Sequence, residues 1–274
     1  MNYGLKDKVV AVTGGASGIG RAACELLAGE GAIVAVIDRD PVRNAETVAR
    51  LRQQGAVASG YHVDVSQETD VSGCVTSIEQ EFGPVYGLIV AAGISVAALA
   101  EDLKTDDWER VFKVNALGAF LCCRAFGAAM LSRRAGAIVV IGSIDGIGAQ
   151  PGRTAYASSK FAVHGLVKSL AAEWANRGVR VNCVAPGLVD TPLLRTGMPA
   201  RFVDAVVDRT PMGRIARPED IASVAAMLLS SATNFVNGVI IPVDGGLLAS
   251  PFTRKNGADL SSNRLLEAGI YTED

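Results

Sequence analysis

Seven short runs of apolar, mostly β-branched residues, separated by stretches of helical periodicity, constrain this chain more than any other feature. The runs cover 9–12, 32–37, 56–63, 86–92, 137–141, 179–185 and 239–243. Runs that are apolar at nearly every position, rather than at alternate ones, suit strands buried on both faces. Between them, 21–30, 67–82, 106–133, 154–177 and 218–230 carry apolar residues at helical spacing. Such alternation implies a parallel sheet covered by helices on both sides. The expectation is therefore one Rossmann-type, doubly wound α/β unit over residues 1–249, built on a mainly parallel seven-stranded sheet. Residues 188–215 interrupt the pattern with Pro192, Gly197, Pro199, Pro211 and Gly213 and read as a long loop of lid type. Residues 250–274 read as a C-terminal tail extension.

Ligands of such sheets sit beyond the carboxyl ends of the strands, and the residues capable of chemistry collect there. Thr13-Gly14-Gly15-Ala16-Ser17-Gly18-Ile19-Gly20 leads from the first run into a helix. Glycines let the backbone turn tightly and admit a phosphate to a helix N-terminus, whose N–H groups and dipole favour an anion. The spacing of Gly14, Gly18 and Gly20 is wider than G-x-G-x-x-G, so the turn alone fits a phosphate site or a tight strand-helix connection. Asp38 closes the second run. A carboxylate there can accept hydrogen bonds from both ribose hydroxyls of an adenosine and repel a 2′-phosphate, which points to NAD over NADP. The alternative for Asp38 is an N-cap of the helix near Pro41, and Arg39 is the dissenting residue, since it could accept a phosphate. Asp64 and Val65, Gly93, Ser143, Pro186 with Gly187, and Asp244 end the later runs.

Tyr156 and Lys160 lie at i and i+4, on one face of the expected 154–177 helix. A free tyrosine has a pKa of about 10, and bringing it to about 7 takes roughly 4 kcal/mol. A cation at about 4 Å, with an effective dielectric near 20, supplies about that much. The pair reads either as an activated phenol or as a core tyrosine with a solvated lysine one turn on.

Taken in order, these motifs resemble those of the short-chain dehydrogenase/reductase family over about residues 5–246. Residues 13–20 resemble its cofactor turn, Ser143 its catalytic serine, Tyr156 and Lys160 its Tyr-x-x-x-Lys, and Asn115 in Val114-Asn115-Ala116 its catalytic asparagine. Pro186-Gly187-Leu188-Val189-Asp190-Thr191 resembles the segment that holds the nicotinamide carboxamide, through the backbone near Val189 and the Thr191 hydroxyl. Where the family usually has Asn-Asn-Ala-Gly, this chain has Val90-Ala91-Ala92-Gly93, without the side-chain hydrogen bonds of those asparagines. The resemblance implies an NAD(P)-dependent oxidoreductase interconverting a secondary alcohol and a ketone. Tyr156 would be the base, Ser143 the donor to the substrate oxygen, and Lys160 would lower the tyrosine pKa and bond the nicotinamide ribose. Asn115 would hold a water linking Lys160 to solvent. Ser17 stands where NADP-using members often have a basic residue, which again favours NAD.

Proximity to the motifs makes Ser95, Ile144, Asp145, Gln150, Arg153, Leu188, Leu193 and Leu194 candidate substrate residues. Asp145, Gln150 and Arg153 either make one wall polar, suiting a hydroxylated or anionic substrate such as a sugar, polyol or hydroxy acid, or face solvent at the rim; a cyclic alcohol is a further candidate substrate. A 3-oxoacyl-carrier-protein reductase is the alternative enzyme, and a non-catalytic NAD-binding sensor or scaffold the alternative from another class. A homo-oligomer, dimer or tetramer, packing through the 108–133 and 156–177 helices is expected from the resemblance.

Composition narrows the remaining classes. With 49% hydrophobic and 20% charged residues over 274, and a formal charge of −2, the chain lacks the clustered basic excess of a nucleic-acid surface. Cys24, Cys74, Cys122, Cys123 and Cys183 are odd in number and contain no Cys-x-x-Cys, so they read as core residues in a reducing compartment. No apolar segment of signal-peptide length precedes the first run, and no uninterrupted apolar stretch reaches about 18 to 20 residues. A cytoplasmic protein without a membrane partner is expected. No cluster has metal-ligand spacing, so no catalytic metal is expected. His164, one turn beyond Lys160, and His62 read as structural.

Overall fold

The apolar runs form a sheet whose strands are β1 (Val9–Thr13), β2 (Ile33–Asp38), β3 (Ala58–His62), β4 (Val85–Val90), β5 (Gly136–Ile141), β6 (Val179–Pro186) and β7 (Ile240–Val243). The computed structural model describes residues 3–195, 200–249, 254–255 and 258–259. Strand order is β3-β2-β1-β4-β5-β6-β7, and every pairing is parallel. The chain runs outward from β1 to β3, then restarts at β4 on the other side of β1. The switch point therefore lies between β1 and β4.

Successive strand residues face opposite sides of a sheet, and two cores result. Ala11, Leu88, Ile138 and Val181 pack with Cys74 of α3 (Glu68–Phe82), Phe126 of α5 (Gly118–Arg133), and Val167 and Trp174 of α6 (Thr154–Trp174). Val10, Val12, Ile89 and Val139 pack with Leu27 of α1 (Gly18–Gly29), Leu51 of α2 (Pro41–Gln53) and Ile221 of α9 (Pro218–Leu229). All five cysteines are buried and unpaired, consistent with their reading as core residues.

Three differences from the sequence reading bear on the site. β3 begins at Ala58 rather than 56, because Ala56 N–H still bonds Leu51 O at the end of α2 (3.1 Å). The 106–133 stretch is not one α-helix. α4 (Thr105–Phe112) passes into α5 through a π-helical turn, Lys113–Leu117, which carries Asn115. Such widened turns often occur at functional sites. By length and composition the whole run could cross a membrane, but Cys122, Cys123, Phe126 and Met130 bury it in the core. Finally, 188–215 is not a featureless loop. It contains α7 (Pro192–Arg195) and α8 (Ala200–Arg209). Pro192 opens α7 rather than ending structure, since proline is tolerated in a helix's first turn. In the 250–274 tail, β8 (Arg254–Lys255) and β9 (Ala258–Asp259) pair antiparallel, and the rest of that expected extension lies outside the described residues.

Candidate active site

Two adjoining clefts open beyond the carboxyl ends of the strands. The first encloses about 1100 Å³ at the switch point and is lined by Gly14, Ser17, Gly18, Ile19, Gly20, Asp38, Arg39, Asp64, Val65, Ala92, Gly93 and Thr191. The second, about 980 Å³, is lined by Tyr156, Lys160, Ser143, Pro186, Gly187 and Val189. Ile19, Ala91, Gly93, Thr191 and Leu193 border both. Every residue expected at a dinucleotide thus lines one trough.

The glycine turn is built for close approach. Gly14 has φ +67°, and a side chain there would place its Cβ 2.8 Å from Ala92 N. Ser17 stands at the N-cap of α1 in extended conformation and makes no side-chain cap bond, leaving first-turn N–H groups for an anion. Asp38 accepts from Ala16 N–H (3.1 Å) through one carboxylate oxygen and from Asp40 N–H (3.0 Å) through the other. It therefore ties the turn to the end of β2, while Asp40 caps α2 by accepting from Val42 and Arg43 N–H. The N-cap alternative for Asp38 is excluded. Asp38 borders the cleft with lone pairs to spare, and the donors suit a dinucleotide: N–H groups at the turn, a carboxylate at the ribose position.

The missing asparagines have replacements. Thr13 Oγ1 accepts from Ala91 N–H (3.2 Å) and Ala92 N–H (3.3 Å). Asn115 clasps Ile94, accepting from its N–H and donating to its carbonyl, both at 2.9 Å. Asn115 also donates to Ser159 Oγ (3.0 Å), which donates to Tyr156 O (2.7 Å). Asn115 therefore braces α6 from the π turn, and one lone pair of its Oδ1 remains. A Cβ on Gly93 would stand 3.4 Å from that oxygen and 3.8 Å from Lys160 Nζ.

Ser143 follows β5 and accepts from Asp145 N–H at 3.0 Å, opening a short 3-10 turn, Ile144–Gly146. Tyr156 and Ser143 line the same cleft, and Ser143 favours the Tyr156 phenolate. Lys160, 6% exposed, donates to Ile141 O at 2.9 Å, with Nζ 5.5 Å from the Tyr156 ring centroid. In the chain alone the expected lysine-lowered tyrosine is not found. Loss of solvent pushes Tyr156 up to about 12 although Ser143 works the other way, and burial pulls Lys160 down to about 8. Desolvation of each charged form is the largest cause of its shift.

His164 continues the same face of α6. Its Nδ1 donates to Gly146 O (2.9 Å), and its buried Nε2 has no partner among the described residues. The ring fills the space left by two glycines flanking Ser143. A Cβ on Gly142 would strike His164 Nε2 and lie 2.6 Å from Cys183 Sγ, and one on Gly146 would lie 2.6 Å from His164 Cε1. His164 thus holds the serine turn. His62, exposed, reaches only Arg39 O (3.0 Å) among the described residues.

All eight candidates for substrate contact, Ser95, Ile144, Asp145, Gln150, Arg153, Leu188, Leu193 and Leu194, line the second cleft. Arg153 donates to Ser95 Oγ (2.7 Å) and Gln150 to Asp145 Oδ1 (3.0 Å). Burial raises the pKa of Asp145, which is 7% exposed. Phe202 and Val206 of α8, and Leu247, complete an apolar wall that the sequence reading missed. The four-residue spacing of Phe202 and Val206 was the available signal. Among the described residues, no group of three His, Cys, Asp or Glu side chains could hold a metal.

Comparison with known proteins agrees with this geometry. A family model described as enoyl-(acyl carrier protein) reductase matches residues 14–248. 2-(S)-Hydroxypropyl-CoM dehydrogenase 3 of Xanthobacter autotrophicus is 38% identical, covering 91% of this chain and 100% of that protein. Galactitol 2-dehydrogenase (L-tagatose-forming) of Cereibacter sphaeroides is 41% identical, covering 89% and 96%. The crystal structure of levodione reductase superposes with a TM-score of 0.88 at 30% identity, covering 90% of this chain and 99% of that one.

Proposed function

The chain belongs to the short-chain dehydrogenase/reductase family, and on that premise we propose an NAD-dependent enzyme in which Tyr156 moves the proton between a secondary alcohol and its ketone. That it is an oxidoreductase of CH–OH groups follows from its relatives. The observation that carries the finer reading is the junction of the two clefts, with Asp38 in one and Tyr156 and Ser143 in the other.

Bound NAD would supply the hydride acceptor. The first-turn N–H groups of α1 would hold its diphosphate, Asp38 the adenosine ribose, Lys160 the second ribose, and the Val189 backbone with the Thr191 hydroxyl the carboxamide. Ser143 Oγ donates to the substrate oxygen, and Tyr156 takes the carbinol proton. The space over Gly93, bordered by Asn115 Oδ1 and Lys160 Nζ, supports an exit for that proton. Preference for NAD is supported by the Asp38 carboxylate and by pairing of three nearby arginines, while Arg39, which lines the cleft, stands outside these pairs. Arg43 meets Asp40 at 3.4 Å, and Arg21 and Arg50 meet Glu25 at 3.8 and 3.5 Å. Exposed Leu117, Phe120 and Phe161 on the helices around Asn115 and Lys160 support a homodimer or homotetramer, and five buried thiols support a cytoplasmic setting.

The test is kcat/KM with NAD and NADP across secondary alcohols, for the natural chain and Tyr156→Phe. A preference for NAD of tenfold or more, and loss of at least a hundredfold in Tyr156→Phe, are expected. Faster NADPH-dependent reduction of a 3-oxoacyl thioester would replace this reading, and cofactor binding without any turnover would make the chain a sensor or scaffold.

A further inference from the structure

Asp145 is the least explained polar group of the substrate cleft. It sits two residues beyond Ser143 on the same short turn, and its backbone N–H bonds the Ser143 hydroxyl (3.0 Å). Its side chain lines the cleft although the residue is 7% exposed. Gln150 Nε2 satisfies Oδ1 (3.0 Å), and no described cation comes within ion-pair distance. A nearly buried carboxylate with one oxygen so thinly served is costly unless a further donor reaches it. The cleft is the direction from which one can come.

Resting on the reaction proposed above, we infer that Asp145 accepts the hydroxyl beside the reacting carbinol, so that the substrate is a neutral vicinal diol, or its α-hydroxyketone, with a hydrocarbon flank. Adjacency sets the position: an oxygen held by Ser143 and Tyr156 places the neighbouring carbon's hydroxyl at the Asp145 end of the turn. Charge sets the neutrality. Among the described residues lining the cleft the cations are Lys160, which donates to Ile141 O, and Arg153, which is held by Ser95 (2.7 Å) and whose field partly offsets Asp145. An anionic substituent would meet the Asp145 carboxylate and gain little from an arginine already countered. The flank follows from the facing wall of Leu188, Leu194, Phe202, Val206 and Leu247, which offers nothing to a chain hydroxylated at every carbon. The diol loses a hydride from carbon to NAD and a proton from oxygen to Tyr156 and then solvent, giving the hydroxyketone, NADH and one proton.

The experiment compares kcat/KM for cis- and trans-1,2-cyclohexanediol, cyclohexanol and 3-hydroxybutyrate with NAD, in the full chain and in Asp145→Asn and Asp145→Ala. A site built around a hydroxyl strongly rejects the analogue lacking it. The better diol should exceed cyclohexanol by about a hundredfold, and the diol-to-cyclohexanol ratio should fall at least tenfold in both variants. Independently, 2-hydroxycyclohexanone should raise the melting temperature of the NADH-loaded chain more than cyclohexanone does, and this difference should vanish in Asp145→Asn. Equal use of cyclohexanol, a ratio unmoved by the variants, or preference for 3-hydroxybutyrate overturns the inference while leaving the alcohol dehydrogenase reading intact. Failure of all four alcohols overturns the inference, and failure of the wider panel of secondary alcohols as well removes both.

Discussion

Replacing Lys160 with methionine should change how stability depends on pH in a way that isolates one buried charge. Burial lowers the Lys160 pKa from 10.5 to about 8. At about 1.36 kcal/mol per unit, the folded chain is penalised by about 3 kcal/mol for keeping this ammonium at neutral pH. The sign follows from proton counts. Between pH 8 and 10.5 the unfolded lysine binds more protons than the folded one, so stability rises with pH across that window and the benefit is lost again as pH falls through 8. Lys160→Met removes the penalty but leaves Ile141 O without its donor, at a cost of about 1 to 3 kcal/mol. At pH 7 the two proteins should therefore lie within about 2 kcal/mol of each other, although the variant is inactive. The decisive quantity is the difference between them. Tyr156 and the buried cysteines also oppose high pH, but they are present in both chains and cancel. Urea unfolding without cofactor, at intervals from pH 7 to 10.5, should show the natural chain gaining about 3 kcal/mol relative to Lys160→Met. Parallel curves would refute the claim that burial, rather than a partner's charge, sets the state of Lys160.

Other expectations follow from the same geometry. The Tyr156 phenol, held up near 12 in the chain alone, should titrate lower once oxidised NAD brings a second positive charge, and phenolate absorbance near neutral pH should appear on adding NAD but not NADH. His164→Leu should lower kcat about tenfold or more by freeing the serine turn, with little change in NADH affinity, and should cost about 1 to 3 kcal/mol through the orphaned Gly146 carbonyl. Gly14→Ala should fail to bind cofactor or fold poorly, because its Cβ would lie 2.8 Å from Ala92 N at φ +67°. Gly93→Ala, whose Cβ meets nothing nearer than 3.4 Å, should fold normally yet slow turnover; normal turnover would remove the proton exit over Gly93.

The order of elements, the carboxyl-edge location of the site and most residues of both clefts were legible in sequence because each rests on local periodicity or on a short motif. Three things were not. Thr13 and Ser159 act on partners 78 and 44 residues away, and a hydroxyl side chain carries no mark of a distant partner. The Tyr156 and Lys160 pair was correctly placed on one helix face, but its electrostatics depend on how much water reaches each group, which spacing does not encode. α8 was hidden because prolines and glycines around it read as interruption, although its Phe202 and Val206 face the substrate cleft. Asn115 shows a mixed outcome: the motif Val114-Asn115-Ala116 singled it out, whereas the π turn that carries it was not visible.

The ring of His164, wedged where Gly142 and Gly146 lack side chains, has a consequence for how this site can change over generations. Either glycine gains a methyl group only after the ring has shrunk, and a shrunken ring leaves a hole that both glycines make larger. Shrinking the ring is not enough, since a Cβ on Gly142 would still lie 2.6 Å from Cys183 Sγ and one on Gly146 2.8 Å from Lys160 O. Descendants of this chain should inherit the trio whole, even as the surrounding cleft adapts to new molecules.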